Sequence, residues 1–418
     1  MFMKRILKIL AWIVGVIVVL IIALGLYINA TWDKPSDRPV VQLTASKDSA
    51  TIARGEFLFK YGNTCWHCHS AAFHPDAPPS GGRPFDLTNV GPGFGMFYTP
   101  NITPDEETGI GRWTDGQVVR AIREGIRYDG KPLFPLMPVP TLKGLSDEDV
   151  LAIVSYLRSI PPVKNAVTPH DIRFPTKALF ALGVVGPEPA ITEPIVAPPK
   201  GLTVEYGKYL ANHASLCSDC HTPRDLNTGA FHFDSLMAGS TIEFGRVQGD
   251  PVWAFSANIT PDPETGIGNW TEQDFLLAVR AGMRPDGRVL AGHMPYSMYG
   301  LWEEDDLRAM YLYLKTIPPF RRTTAPIHWT EKITGTSGKE RGEALFHSYC
   351  MQCHGENGTG APSTKLKMAE LARTIDDATL KQFIHDGQVN LRMPAFGKTF
   401  SSEQIDDVIT CIRSWEKK

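Results

Sequence analysis

Cys65-Trp66-His67-Cys68-His69, Cys217-Ser218-Asp219-Cys220-His221 and Cys350-Met351-Gln352-Cys353-His354 are three copies of one pattern, C-x-x-C-H, and hold six of the chain's seven cysteines. The spacing has a chemical reason. Two thiols separated by two residues reach both vinyl groups of one porphyrin, and the next residue then lies beneath its iron. This is the attachment signature of c-type haem. It predicts three covalently attached haems, with His69, His221 and His354 as proximal ligands. A structural zinc site would need four ligands at tetrahedral spacing, whereas each pair here carries one adjacent His. A thioredoxin-like redox pair would need a strand–helix–strand context, which is absent around all three. Disulfides between motifs are the remaining alternative in an oxidising compartment.

A haem that only transfers electrons needs its sixth coordination position closed, and a thioether there raises the potential. Each motif is followed by one Met-Pro dipeptide ahead of a helix-like segment: Met137-Pro138, Met294-Pro295 and Met393-Pro394. Met96, Met237, Met283 and Met298 compete as ordinary packing residues. An internal repeat separates the two groups. Residues 101–162 align with 258–319 without a gap at an offset of 157; Asn-Ile-Thr-Pro-Asp, Thr-Gly-Ile-Gly and a Trp (Trp113, Trp270) recur in both. At that offset Met137 falls on Met294, while Met298 falls on Thr141 and Met283 on Ile126. Met137, Met294 and Met393 are therefore the expected distal ligands.

The same comparison predicts helices. A segment with a Gly (Gly55, Gly207, Gly342) precedes each motif, and a terminal helix follows each Met. Ser146-x-x-Asp149 and Ser401-x-x-Gln404 open two of the terminal helices as capping boxes, and Thr114-x-x-Gln117 and Thr271-x-x-Asp274 open middle helices. Trp302-Glu303-Glu304 opens the remaining terminal helix without an obvious cap. Each Gly is expected to let the first and last helices of its domain cross closely. Trp113 and Trp270 either donate to a haem propionate or pack at a helix start. Cys411 aligns with Tyr156 and Tyr313 on an apolar face and reads as a small core residue. His67 is expected to be exposed, and His293 and His347 to lie near haem sites without ligating.

The domains that follow are 48–165, 203–320 and 338–418, joined by a Pro-rich linker at 166–202, expected to run extended, and a shorter one at 321–337. Ahead of them, Lys4, Arg5 and Lys8 precede an uncharged run from Ile9 to Ala30, long enough to cross a bilayer. The positive flank keeps the N-terminus cytoplasmic and sends everything after Trp32 across the membrane. A cleaved signal peptide is the competing reading, but Ile28-Asn29-Ala30 matches a small-x-small cleavage site poorly. The segment 1–32 is thus expected to stay as an anchor, with Tyr27 and Trp32 near its outer end. Forty-two Lys plus Arg against 45 Asp plus Glu leave a net charge of −3, without the basic excess of a nucleic-acid binder.

The motifs, the Met-Pro dipeptides and the paired Asn-Ile-Thr-Pro-Asp…Thr-Gly-Ile-Gly…Trp block resemble the triheme cytochrome c subunits of bacterial membrane-bound dehydrogenases that oxidise alcohols, aldehydes, gluconate or fructose. The resemblance covers nearly everything from about residue 48 to 418. It implies a mostly α fold, with three tandem class I cytochrome c-type domains after an N-terminal transmembrane helix. It also implies a bacterial inner-membrane location with the haem domains in the periplasm. Such subunits take electrons from a separate catalytic subunit and deliver them to ubiquinone. The attachment points carry over to Cys65, Cys68, Cys217, Cys220, Cys350 and Cys353, and the iron ligands to His69, Met137, His221, Met294, His354 and Met393. Alcohol-oxidising members have a cleaved signal and a membrane-associated C-terminal extension, whereas this chain stops at Lys418 after the third haem helix. The resemblance therefore favours the aldehyde-oxidising type, with a molybdopterin subunit and an iron–sulfur subunit as partners, over a quinoprotein or flavoprotein partner. The chain by itself is expected to catalyse nothing. Delivery of electrons to a terminal oxidase, or a multihaem enzyme such as a peroxidase, are the alternatives.

Overall fold

The computed structural model describes residues 2–71, 74–244, 252–324, 328–329, 337–361, 364 and 367–415, and they are mostly helical. Helix α1 (Phe2–Thr31) stands out from the rest with Ile28 as its one buried side chain. A helix that is apolar all round and uncovered by protein suits hydrocarbon rather than water.

Asp48 accepts from Thr51 N and opens α2 (Ser49–Phe57), which runs through a π-helical turn (Leu58–Gly62) towards the motif helix α3 (Trp66–His69). Strands β1 (Pro84–Asp86) and β2 (Gly95–Tyr98) pair antiparallel beyond it. The predicted capping box of Thr114 and Gln117 opens α4 (Asp115–Glu124); α5 (Val139–Leu142) follows Met137-Pro138, and Ser146 caps α6 (Asp147–Ser159).

The linker departs from the expected extended chain. It adds β3 (Asp171–Ile172) to the edge of β2 and then forms α7 (Phe174–Ala181). Pro175 suits a helix start, Thr176 Oγ1 donates to Phe94 O at 2.7 Å, and Leu179 packs on Phe85, Leu87, Phe94 and Phe97. Eight residues give too short a period to separate from noise; only this tertiary contact makes them a helix.

The second copy repeats the plan: α8 (Val204–Tyr209), a π-helical turn (Leu210–Ala214), α9 (Cys217–His221), β4 (Glu243–Phe244), β5 (Val252–Phe255), α10 (Glu272–Ala281), α11 (Tyr296–Tyr299) and α12 (Glu304–Leu314). Thr271 and Asp274 cap α10 reciprocally, while α12 starts at Glu303 without a side-chain cap, both as expected. Strand β6 (His328–Trp329) pairs with β5. The third copy has α13 (Gly338–Leu345), opened by a Ser337–Glu340 capping box that the sequence reading did not single out. It continues with α14 (Met351–His354), α15 (Met368–Ala372), α16 (Asp377–Asp386) and α17 (Ser402–Ser414). Most of the linker predicted at 321–337, including Pro326, lies outside the described residues.

Three helix crossings repeat: α2 on α6, α8 on α12 and α13 on α17. Each depends on the Gly expected to allow it. A Cβ on Gly55, Gly207 or Gly342 would overlap the backbone oxygen of Ala152, Ala309 or Asp407 respectively. In two of the crossings a bidentate Arg–Asp pair braces the helices: Arg54 with Asp149 (2.8 and 2.9 Å) and Arg341 with Asp407 (2.7 and 2.9 Å).

The first two copies share one apolar core, in which Leu58, Leu145 and Val150 lie with Leu210, Leu307 and Leu314. They meet as a pseudo-two-fold pair. The π turn of each copy packs on the short post-Met helix of the other, α11 or α5. Gly62 and Ala214, equivalent at the motif offset of 152, face each other so closely that a Cβ on Gly62 would overlap the Ala214 oxygen. Trp302 Nε1 donates to Tyr61 O (2.9 Å) on one side, and His213 Nδ1 lies 2.9 Å from Thr141 O on the other. Asp149 also accepts from Tyr209 OH at 2.6 Å, which ties the first crossing to the second copy. A second core holds Leu345, Ile405, Val408, Cys411 and Ile412 of the third copy together with Val252 and Val289 of the second.

Two stability outcomes follow. Gly207→Ala should lower stability by about 1–3 kcal/mol through overpacking, although alanine at an open helix position would raise it by roughly 0.5–1 kcal/mol. Guanidinium unfolding of the haem-loaded protein decides the sign, and an unchanged midpoint would mean that the helices part freely. Cys411, 1% exposed, should tolerate Ala at a cost on the order of 1 kcal/mol with unchanged haem content; lost haem would give the thiol a role beyond packing.

Candidate functional site

The three cysteine–histidine sets sit on the short helices α3, α9 and α14. His69 Nδ1 lies 3.0 Å from Pro100 O and His221 Nδ1 lies 2.7 Å from Ala257 O. A carbonyl can only accept, so Nδ1 carries the proton in both rings and the Nε2 lone pair is left for a ligand. Burial also lowers both imidazole pKa values against the opposing pull of the carbonyls. His354 is likewise neutral, pushed down to about 4 by burial, and its Nδ1 finds no partner among the described residues.

The repeated block explains why those carbonyls are where they are. Pro100 and Ala257 immediately precede Asn101 and Asn258, each 3% exposed. Asn101 Oδ1 accepts from Thr103 N and Oγ1 (3.0 and 2.8 Å), while its Nδ2 donates to Thr108 Oγ1 and Val163 O (3.0 and 2.8 Å). Asn258 does the same with Thr260, Thr265 and Phe320 O. Asp105 and Asp262 accept from the Thr108 and Thr265 backbones at 2.7 Å. The block is a clip that fixes a histidine-orienting carbonyl. Its recurrence was visible in the sequence; its task was not, because the acceptor is backbone and carries no residue signature.

One cavity of about 1860 Å³ is lined by Cys65, Cys68, His69 and Met137 together with Cys217, Cys220, His221 and Met294. That is well above the roughly 300–1,000 Å³ of a single small-ligand pocket. Among the described methionines only Met137 and Met294 line it; Met237 and Met298 are buried in the shared core. Met137 O accepts from Val139 N at 2.7 Å and Met294 O from Tyr296 N at 2.8 Å, so the two loops share one fold. Trp113 and Trp270 line the same space at the starts of α4 and α10, the Trp113 ring also packing on Tyr128 at 5.0 Å. His293 lines it as well. His67 is half-buried rather than exposed, because its ring stacks on Trp66 at 5.1 Å.

The third set stands apart from this cavity. Met393 is half-buried against the third core, in a narrow loop where Gln388 N donates to Met393 O at 2.8 Å. The short helix α11 that follows Met294 reaches the third motif: Tyr296 OH donates to Tyr349 O (3.2 Å), and Ser297 N donates to Gln352 Oε1 (3.3 Å). Gly292 N donates to Ser348 O at 2.9 Å. The first and second sets therefore share a chamber, and the second and third share a contact.

The donor set fits haem c. Two sulfurs and one oriented imidazole flank a large apolar space in each of the first two sets. Burial pushes Cys65 up to about 12 and Cys68 up to about 11, an environment for neutral sulfur rather than thiolate. Cys65, Cys68, Cys217, Cys220, Cys350 and Cys411 form no disulfide, and no group of three or more His, Cys, Asp or Glu among the described residues could hold a bare metal ion.

Residues 52–161 match the family described as cytochrome c, and residues 338–411 match cytochrome C oxidase, cbb3-type, subunit III. The alcohol dehydrogenase (quinone) cytochrome c subunit of Gluconacetobacter polyoxogenes is 29% identical over 401 residues, covering 90% of this chain and 82% of the relative. The gluconate 2-dehydrogenase cytochrome c subunit of Pantoea cypripedii is 27% identical, covering 88% and 86%. A diheme cytochrome c-type protein of Cereibacter sphaeroides is 31% identical over 278 residues, covering 64% of this chain and 86% of the relative. With this similarity and the cysteine–histidine geometry together, the chain belongs to the c-type cytochromes, the family of these dehydrogenase cytochrome subunits, and carries covalent haem c.

Proposed function

We propose that this chain is a membrane-anchored triheme relay that takes electrons from a catalytic dehydrogenase subunit and delivers them to ubiquinone. The observation that carries the reading is the repetition: three C-x-x-C-H motifs, each with its own Met-Pro dipeptide, two of them lining one cavity and the third in contact with the second. Haem c, when bound, supplies a one-electron ferric–ferrous couple. Cys65 and Cys68, Cys217 and Cys220, and Cys350 and Cys353 attach the three groups. His69, His221 and His354, with Met137, Met294 and Met393, would hold the irons. With histidine and methionine both bound, the irons would be closed to oxygen and peroxide, which suits conduction rather than substrate chemistry. Trp113 and Trp270, which line the cavity, would donate to propionates. Helix α1 holds the relay at the inner membrane, with the haem units in the periplasm.

For the partner, the proposal is a molybdopterin subunit with an iron–sulfur subunit, oxidising an aldehyde; a quinoprotein or flavoprotein is the competing partner. A second reading, electron delivery to a terminal oxidase, is favoured by the match of residues 338–411 to an oxidase cytochrome subunit. Purified complex assayed with a ubiquinone analogue and, separately, with an oxidase and oxygen separates the two acceptors.

Intact-mass measurement should find three haem additions on a chain that still begins near Met1. One or two additions would remove a motif from the relay, and a start near Thr31 would make α1 a leader. Met393→His should keep the third haem attached, since attachment rests on Cys350 and Cys353. Its potential should fall by on the order of 0.1 V, within the roughly 0.8 V that axial ligands command. Quinone reduction should then slow, while substrate oxidation with an artificial acceptor upstream survives. An unshifted potential for Met393→His, beside a shifted one for Met96→His, would reject Met393 as the ligand.

A further inference from the structure

Helix α7 has two faces. Thr176 is buried and Leu179 is packed on the Phe85–Phe97 cluster, whereas Phe174, Leu182 and the following Val184 are 51%, 58% and 52% exposed. Lys177 is the one charged residue between 174 and 186. A Cβ on Gly183 or Gly186 would meet nothing within 4 Å, so among the described residues none closes on these two positions. Three large apolar side chains bared together in water are costly, and such a face marks a contact.

The position of the face identifies what covers it. α7 packs on the outer end of α1, where Ile28 is buried. Lys177 Nζ donates to Asn29 Oδ1 at 3.4 Å and sits over the Trp32 ring at 5.7 Å. Trp32 and Tyr27 mark the depth at which aromatic belts meet headgroups. Phe174 opens α7 and Leu182 and Val184 follow its last turn, so the exposed apolar side chains sit on the element that packs on the outer end of α1. A short apolar face with a lysine at its edge is what a bilayer interface accepts.

We infer that α7 and the turn after it are a second membrane contact, a lipid-facing stripe that seats the first haem unit against the outer leaflet beside the anchor. The inference rests on α1 remaining in the mature chain. It would add to the hold on the first unit already made just after α1, where Lys131 pairs with Asp33 and Ser36 N donates to Gly130 O.

The test uses the full-length, haem-loaded protein in phosphatidylcholine vesicles doped with a phosphatidylcholine bearing a diazirine near the carbonyl end of its acyl chain. After illumination and trypsin digestion, mass spectrometry reads lipid adducts on the peptide 178–200 and on the peptide containing α1. Both should be labelled. A Leu182→Asp, Val184→Asp variant with unchanged haem content should lose at least five-fold of the adduct on 178–200 and keep that on α1. Label on α1 alone would overturn the inference and leave the anchor standing. If the same variant instead dissociated from the dehydrogenase subunit, the face would belong to a protein. Label on neither peptide would overturn both the anchor and the second contact.

Discussion

A backbone oxygen lying where a side chain would begin is the constraint on which this molecule depends. Gly55 on Ala152, Gly207 on Ala309 and Gly342 on Asp407 let two helices approach closer than any residue with a Cβ permits. Each crossing joins the segment that leads into a C-x-x-C-H motif to the helix that follows a Met-Pro loop. Histidine and methionine are far apart in sequence, and the crossing is what returns the chain to the same place. In the first crossing Asp149 does more than brace, because Arg54 and Tyr209 both donate to it and Tyr209 belongs to the next copy. Removal of either donor would leave a buried carboxylate short of partners, a situation that costs several kcal/mol.

Duplication then sets the chemistry of the first two units. The Asn-Ile-Thr-Pro-Asp block holds a carbonyl against the proximal histidine twice, by the same hydrogen bonds and at corresponding positions. A fixed tautomer means that each imidazole offers the same nitrogen, Nε2, in the same ring orientation. The two copies also associate through equivalent surfaces, as homodimers do. Back-to-back packing of this kind opens both sites onto one cavity. The third unit lacks the block, packs its core on Val252 and Val289 of the second and meets α11 after Met294, so it is an added unit rather than a third member of the pair.

The seventh cysteine and the linker show the limits of pattern reading in opposite directions. Cys411 was read as a core residue from its alignment with Tyr156 and Tyr313, and it is buried among Leu345, Ile405 and Ile412. Residues 174–181 were read as extended because prolines crowd the surrounding stretch, yet they form a helix against the Phe85–Phe97 cluster. In the first case the period of a long helix carried the information. In the second the stabilising partner lies some eighty residues away, and nothing local announces it.

The sequence by itself determined the chemistry and the punctuation. Covalent haem attachment follows from the cysteine spacing, because reach between two sulfurs is local geometry. The caps at Thr114, Thr271, Ser146 and Ser401 were legible because capping bonds span three residues. Met137 and Met294 were separable from Met283 and Met298 because a gapless repeat superimposes equivalent positions. The tertiary structure alone decided which sets share a cavity, which backbone oxygen orients each histidine, and where the linker becomes a helix beside the anchor. Those features depend on contacts between residues distant in the chain and on main-chain atoms that every residue type possesses, and neither leaves a mark in the order of side chains.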